Sequence, residues 1–300
     1  MQDYFYQLAD ELTGRCTGGE VLLLGISGEE SDFARLNKSL IRQAGAVTQR
    51  YLSLELIDGP KHAKQSFALC GEKDTDLTRA KDVLTSLRKQ LPHTPDDPFL
   101  LYATDVSNTE QIGDNRLGAT EDCLSAILAA GEGKDLVGIF AQGGMFAGFA
   151  NSLGQRNWFA SHSFHFEWCF YDHDDKAVKS SYAGFTWSDE EFTRKVDSAA
   201  EQLDILARPA KTIEPGEYRV YLPPSALSEY VGILGWGGFG LKSHRTKNTP
   251  LLKMIEAGAT LHESVNLCEN TRQGLAPNFT SAGYVKPDRV ELIRAGQFSE

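Results

Sequence analysis

The sequence predicts an α+β fold: antiparallel sheets with flanking helices in an N-terminal domain, followed by a β-rich second domain that reads as incomplete. Three observations predict it. Residues 31–71 keep a period-two alternation, as in Tyr51-Leu-Ser-Leu-Glu-Leu-Ile57, the mark of half-buried strands. Apolar residues recur at helical spacing in Leu77, Ala80, Leu84, Leu87 and Leu91, and again in Phe192, Val196, Ala199, Leu203 and Leu206. Between these and the rest lies a polar, aperiodic stretch with two prolines, Arg208-Pro-Ala-Lys-Thr-Ile-Glu-Pro-Gly216, which reads as a boundary. The expected division is a domain over 1–208, a linker over 209–216, and the start of a second domain over 217–300.

Each element has a local cause. Phe5, Leu8 and Leu12 share one helical face, and residues 20–27 form a short apolar strand next to glycines. Turns are expected at Ala44-Gly45 and Asp58-Gly59-Pro60. The helix carrying Leu77 to Leu91 ends at Pro92, and another over 119–130 closes at Gly131. Strands are then expected over 135–142, 145–152 and 157–171, followed by a turn over 172–176 and a further strand towards Trp187. Ser188-Asp-Glu-Glu191 is a capping box, in which hydroxyl and carboxylate satisfy orphan amides of a helix start. In the second domain a strand over 218–222 precedes a helix opened by Pro224, which runs out in Gly235-Trp-Gly-Gly-Phe-Gly240. A short helix over 250–257 is stopped by Gly258, two strands follow near 265–268 and 289–293, and the turn at Ala295-Gly296 begins another.

With 30 Lys and Arg against 41 Asp and Glu, the chain carries a formal charge of −11. Residues 1–216 hold 21 basic and 33 acidic side chains, so the acid lies in the first domain. Residues 230–255 contain no carboxylate and four cations, Lys242, Arg245, Lys247 and Lys253. A chain of this net charge repels DNA at long range, so direct nucleic-acid binding is not expected. The basic patch suits a peptide, a carboxylate or a partner subunit. No apolar run approaches the roughly 20 residues of a membrane helix, and residues 1–6 lack a signal peptide's basic and apolar parts. A cytoplasmic protein is expected. Its five cysteines are an odd number with no C-x-x-C pair, which fits reduced thiols.

The tempting chemical motifs fail on spacing. His262-Glu263 lacks a second histidine at the positions a zinc peptidase would use, which hold Asn266 and Leu267. His165, Cys169 and His173 share one strand face, with His162 on the other. Steps of four residues separate such ligands by about 13 Å, too far for one ion. The glycine run after Leu234 follows a helix, so it lacks the context of a dinucleotide loop. No G-x-S-x-G elbow is present, and no nucleophile is distinguished.

The run Pro215-Gly-Glu-Tyr-Arg-Val-Tyr-Leu-Pro-Pro-Ser-Ala-Leu-Ser-Glu-Tyr230 resembles the opening of the C-terminal domain in the TldD/TldE (PmbA) family, long labelled modulator of DNA gyrase. Thr249-Pro-Leu-Leu-Lys253, Glu269-Asn-Thr-Arg-Gln-Gly-Leu-Ala-Pro-Asn-Phe-Thr-Ser-Ala-Gly283, Arg35-Leu-Asn-Lys-Ser-Leu-Ile-Arg-Gln-Ala-Gly45 and Asn151-Ser-Leu-Gly-Gln-Arg156 are similar to further family stretches, in order. The resemblance implies a zinc metallopeptidase complex in which a TldD-type subunit binds zinc through an H-E-x-x-x-H helix, while a zinc-free TldE-type subunit completes a heterodimer. Here the matching helix region reads Ser225-Ala-Leu-Ser-Glu-Tyr-Val-Gly-Ile-Leu-Gly-Trp236, with Glu229 and no histidine. The expectation is therefore a noncatalytic, TldE/PmbA-like subunit for processing unfolded peptides, with no cofactor of its own and zinc in its partner. The expected peptide or partner contacts are Glu229, Trp236, Gly237, Gly238, Lys242, Arg245, Asn270 and Arg272. Self-association into a homodimer stays open. The competing expectations are a self-contained zinc hydrolase with scattered ligands, such as His244, His262 and Cys268, and a binding module linked to gyrase regulation.

Overall fold

The computed structural model describes residues 1–172 and 176–299. Its chain forms two units, the first made of Met1–Ala210 with Leu275–Lys286, the second of residues 211–274 and 287–299. Residues 209–216 carry no helix or strand.

The first unit is built on one antiparallel meander. Strands β1 (Val21–Asn37), β2 (Leu40–Asp58) and β3 (Lys61–Ala68) follow helix α1 (Gln2–Thr13). After α2 (Lys73–Gln90), a short β4 (Thr109–Ile112) and α3 (Thr120–Gly131) come β5 (Asp135–Asn151), β6 (Arg156–Tyr171), β7 (Ala177–Gly184) and α4 (Asp189–Leu206). The sheet order is β3-β2-β1-β5-β6-β4, with β7 sharing the outer side of β6 with β4. Only the β4–β6 pairing is parallel.

Alternation sends Leu22, Leu24 and Ile26 towards α1 and α2, where Phe5, Leu8, Ala9 and Leu12 are fully buried. Further along the strands Phe140, Phe166, Trp168 and Phe170 meet α3 and α4. A buried side chain of this size stabilises by about 1.5–3 kcal/mol. All four helices thus cover one face of the sheet. The expected capping box is present in part, with Ser188 Oγ accepting the Glu191 amide at 3.3 Å.

The turn expected at residues 58–60 forms between β2 and β3, but the other expected turn is a strand interior. Ala44-Gly45 lies within β2, and the β1–β2 turn is Lys38-Ser39, both residues with left-handed φ of 51° and 56°. Ser39 is fastened there, its N–H donating to Leu136 O at 3.0 Å and its Oγ accepting the Leu136 amide at 3.1 Å. Gly45 exists because the Phe33 ring lies where its Cβ would be, 3.0 Å away. Likewise residues 135–142 and 145–152 are one strand, and a Cβ on Gly143 would stand 2.2 Å from Glu30 O of β1. Both glycines serve close approach.

A buried carboxylate fastens the first two helices. Asp76 accepts the Tyr4 hydroxyl at 2.5 Å and the amides of Cys70 and Gly71 at 2.9 and 2.8 Å. Burial works against its ionised form, but these donors outweigh it and hold the carboxyl below the usual carboxylate range. Burial and the Asp76 bond push the Tyr4 hydroxyl up.

In the second unit α5 (Pro224–Gly235), α6 (Leu241–Arg245) and α7 (Leu252–Ala257) precede a three-stranded sheet, β10-β9-β8, from β8 (Leu267–Asn270), β9 (Arg289–Arg294) and β10 (Gln297–Phe298). Gly258 ends α7 with a left-handed φ of 64°. The strand expected over 218–222 does not form. Tyr218, Val220 and Tyr221 are exposed there, and no neighbouring strand among the described residues pairs with them.

Because the folded pKa of Asp76 is depressed, its stabilisation is full above the unfolded value of about 3.9 and is lost as pH falls through the folded value. Asp76→Asn should cost about 1–3 kcal/mol at neutral pH and flatten the acid limb of stability below pH about 4, both read from urea unfolding across pH.

Candidate functional site

The residues expected from sequence fall in two places of the second unit. Glu229 is exposed on α5. Trp236 caps the end of that helix and is 89% exposed. Gly237 takes a φ of 75°, and a Cβ on Gly238 would lie 1.9 Å from Leu234 O. The Gly238 carbonyl accepts His244 Nε2 at 2.6 Å and Thr249 Oγ1 at 2.8 Å. Those bonds fold α6 back on the glycine loop, leaving Lys242 and Arg245 exposed on it. Asn270 instead closes the turn after β8, where its Oδ1 accepts the Gln273 amide at 3.2 Å, and Arg272 is exposed in that turn. The fold therefore joins Trp236, Gly237, Gly238, Lys242 and Arg245 into one element and keeps Asn270 and Arg272 apart from it.

The three scattered ligands proposed from sequence are not brought together among the described residues. His244 is spent on Gly238 and packs edge-on against Phe298 at 5.0 Å. His262 bonds Ser264 through Nδ1, and Cys268 lies on β8. Among the described residues no three His, Cys, Asp or Glu side chains form a group that could hold a metal ion. His173, the last of the zinc-like candidates expected on one strand face, lies outside the described residues.

A second site, which sequence reasoning missed, lies wholly within the first unit on the sheet face away from the helices. There Leu23, Ile57, Phe149, Phe159 and Phe279 form a small apolar cluster. Phe279 comes from the returning segment Leu275–Lys286, which folds as a narrow hairpin: Lys286 N–H donates to Asn278 O at 2.7 Å and Thr280 N–H to Tyr284 O at 2.9 Å. Buried amides fasten this hairpin to the sheet. Gln155 Nε2 donates to Gly283 O and to Asn157 Oδ1, both at 2.7 Å. Asn157 Nδ2 donates to Ser107 O and Thr109 Oγ1, both at 2.8 Å, and Thr109 Oγ1 donates to Asn278 Oδ1 at 3.2 Å. Asn151 Oδ1 accepts the amides of Leu153 and Gln155, shaping the β5–β6 turn. Gly283, at a φ of 86°, leaves room for the Phe149 ring.

Between this hairpin and the sheet runs a trough of about 390 Å³. Gly25, Ser27, Ser53 and Ser66 give it a floor of small residues, Tyr51 and Lys64 flank it, and residues 277–281 form its wall. Lys64 is paired with Glu55 at 3.3 Å, Glu55 with His62 at 2.8 Å, and His62 with Asp97 at 3.3 Å. Ser53 Oγ donates to Gly25 O at 3.3 Å. Such a surface offers hydroxyls, an apolar wall and one paired cation.

An antiparallel sheet with helices on one face and a hairpin returning to the other defines the fold. No family model and no curated protein matches the chain. Solved structures share the fold. One from Thermotoga maritima, described as a modulator of a DNA gyrase, has a TM-score of 0.66 at 12% identity over 99% of this chain and 69% of its own. Another so described, from Bacteroides thetaiotaomicron, reaches 0.68 at 15% identity over 99% and 70%. TldE from Thermococcus kodakarensis reaches 0.67 at 13% identity over 98% and 68%. The fold implied by the resemblance in sequence is thus the fold observed.

Gln155→Ala would strand the Gly283 carbonyl and Asn157 Oδ1 without a donor. It should cost about 2–3 kcal/mol and speed proteolytic nicking within residues 275–286 relative to the parent chain, read by mass spectrometry of limited digests.

Proposed function

We propose that this chain is the zinc-free member of a TldD/TldE-type peptidase pair in the cytoplasm, receiving unfolded peptide for a partner that carries the metal. The observation that carries this reading is the composition of α5. Where the resemblance sets a metal-binding helix, this one offers Glu229 as its single potential ligand, with no histidine or cysteine. Zinc sites need at least three protein ligands. The fold shared with Thermococcus TldE supports the same reading.

The trough gives the proposed role a physical form. Across the 279–285 bridge, the Phe279 N–H and C=O take no part in the hairpin's own bonds and have no partner among the described residues. An extended segment lying there gains main-chain bonds whatever its sequence, while the small floor admits its side chains. The basic loop bearing Lys242 and Arg245 is assigned to contact with the partner subunit.

The purified chain should hold less than about one zinc per ten chains by elemental analysis and leave a casein-derived peptide intact. Mixed with a subunit bearing H-E-x-x-x-H, it should support cleavage. One zinc per chain, or cleavage by the chain alone, would defeat the proposal. Ser66→Trp fills the trough from an exposed position and should weaken peptide binding about tenfold, about 1.4 kcal/mol, with little change in stability. Fluorescence anisotropy of a labelled unfolded peptide reads the first and thermal unfolding the second.

A further inference from the structure

The charge of the trough sets it apart from the rest of the chain. The sequence holds 41 acidic residues against 30 basic ones, yet among the described residues no Asp or Glu lines the trough. Its lining has six hydroxyl side chains and one cation, Lys64. The sheet register fixes where that cation stands. Lys64 and Ser66 share a face of β3, Ser66 sits opposite Ser53 of β2, and Tyr51 sits opposite Ala68. Four residues of β3 thus separate the level of Lys64 from that of Tyr51, about 13 Å. That length suits about four residues of an extended chain, with Lys64 at one end.

Lys64 can turn to a ligand at little cost. Its ammonium carries three donors, and its ion-pair partner is Glu55 Oε2 at 3.3 Å, with the lysine side chain 45% exposed. Exposed pairs of this kind contribute little. Glu55 keeps a second partner, His62 Nδ1 at 2.8 Å on its other oxygen, and His62 Nε2 faces Asp97 at 3.3 Å. Releasing Lys64 therefore leaves no carboxylate unpaired. Ser66, exposed two residues further along β3, adds a hydroxyl donor beside it. We infer, on the reading of the trough as a surface that holds extended peptide, that Lys64 selects peptides bringing a carboxylate to this end, from an acidic side chain or from a C-terminus. A carboxylate there takes charge-assisted bonds from the ammonium and the hydroxyl. A basic side chain in the same place meets a like charge, with no acid in the lining to offset it. Pairing along the Phe279 wall is blind to sequence, so the one charge of the lining supplies the discrimination.

Fluorescence anisotropy reads the selection with N-terminally labelled peptides of one Gly-Ser-Ala sequence: a C-terminal amide, the free acid, and amides with an internal Glu or Gln. The purified chain should bind the free acid or the Glu peptide about tenfold more tightly than the neutral ones, and whichever gains names the source of the carboxylate. Raising the salt should erode that preference. Lys64→Gln should remove it, Lys64→Arg should keep it, and Lys64→Glu should transfer it to a peptide with Lys in place of Glu, all with unchanged circular dichroism. Equal binding of acidic and neutral peptides, with Ser66→Trp still weakening both, overturns selection by Lys64 and leaves the trough as the peptide site. A preference that survives Lys64→Gln overturns it as well. Absence of binding, or binding indifferent to Ser66→Trp, defeats the trough reading itself.

Discussion

The close antiparallel pairing of β1 with β5 is the constraint on which the first unit depends. These strands run side by side from Leu23 opposite Asn151 to Leu36 opposite Gly138. Everything else in the sheet is hung on one or the other, β2 and β3 on β1, and β6, β4 and β7 on β5. The approach is possible because small residues occupy the middle of the pair. A Cβ on Gly143 would collide with the β1 backbone, and one on Gly28 would meet the Phe146 ring at 2.4 Å. Had either position carried a side chain, the two strands would have to part where two separate helix layers leave the sheet uncovered. The cores at either end, one under α1 and α2 and one under α3 and α4, are coupled through this uncovered middle.

The sheet's two faces divide the labour. One face is sealed by helices whose burial supplies most of the stability, and the buried carboxylate of Asp76 there is held by three donors. On the other face apolar cover is confined to one end, where Phe149, Phe159 and Phe279 meet. A hairpin from residues 275–286 has too little apolar surface to stay there unaided. Amides buried to within 1% of full burial supply the remainder, since Gln155 and Asn157 would be left unsatisfied if the hairpin departed. The trough wall is therefore held by polar bonds that are costly to break in a dry setting.

Much of this was legible in the sequence, and the exceptions have one cause. Helices carry their signal within a few residues, so the stripe around Leu84 and Leu87 and the cap at Ser188 were readable locally. Glycine is ambiguous. The same residue marks a turn by its freedom of φ and a close approach by its missing side chain, and only the partner strand decides. Gly45 was read as a turn, and Gly143 as lying between two strands, because Phe33 and Glu30 O are remote from them in sequence. The true β1–β2 turn, Lys38-Ser39, holds no turn glycine and exists because Ser39 finds Leu136, some 97 residues away. The amide network was hidden for the same reason, since Gln155 and Gly283 are 128 residues apart. Asn151, Gln155 and Asn157 within an otherwise apolar strand pair were its only local sign. Among the expected contacts, the loop from Trp236 to Arg245 was found as a unit because its glycines and its cations are sequence neighbours, whereas Asn270 and Arg272 had no local tie to it.

The donors around the trough fit the proposed role of holding a peptide. Catalytic groups need an acid or base whose protonation is tuned and aimed at a reacting atom. The groups whose protonation is most displaced serve structure: Tyr4 and Asp76 fasten two helices, and the Cys123 thiol, pushed up to about 11 by burial, lies on the buried face of α3. The trough presents main chain, hydroxyls and glycine instead. Main-chain surfaces of that kind suit pairing with another extended backbone, the role proposed for the trough.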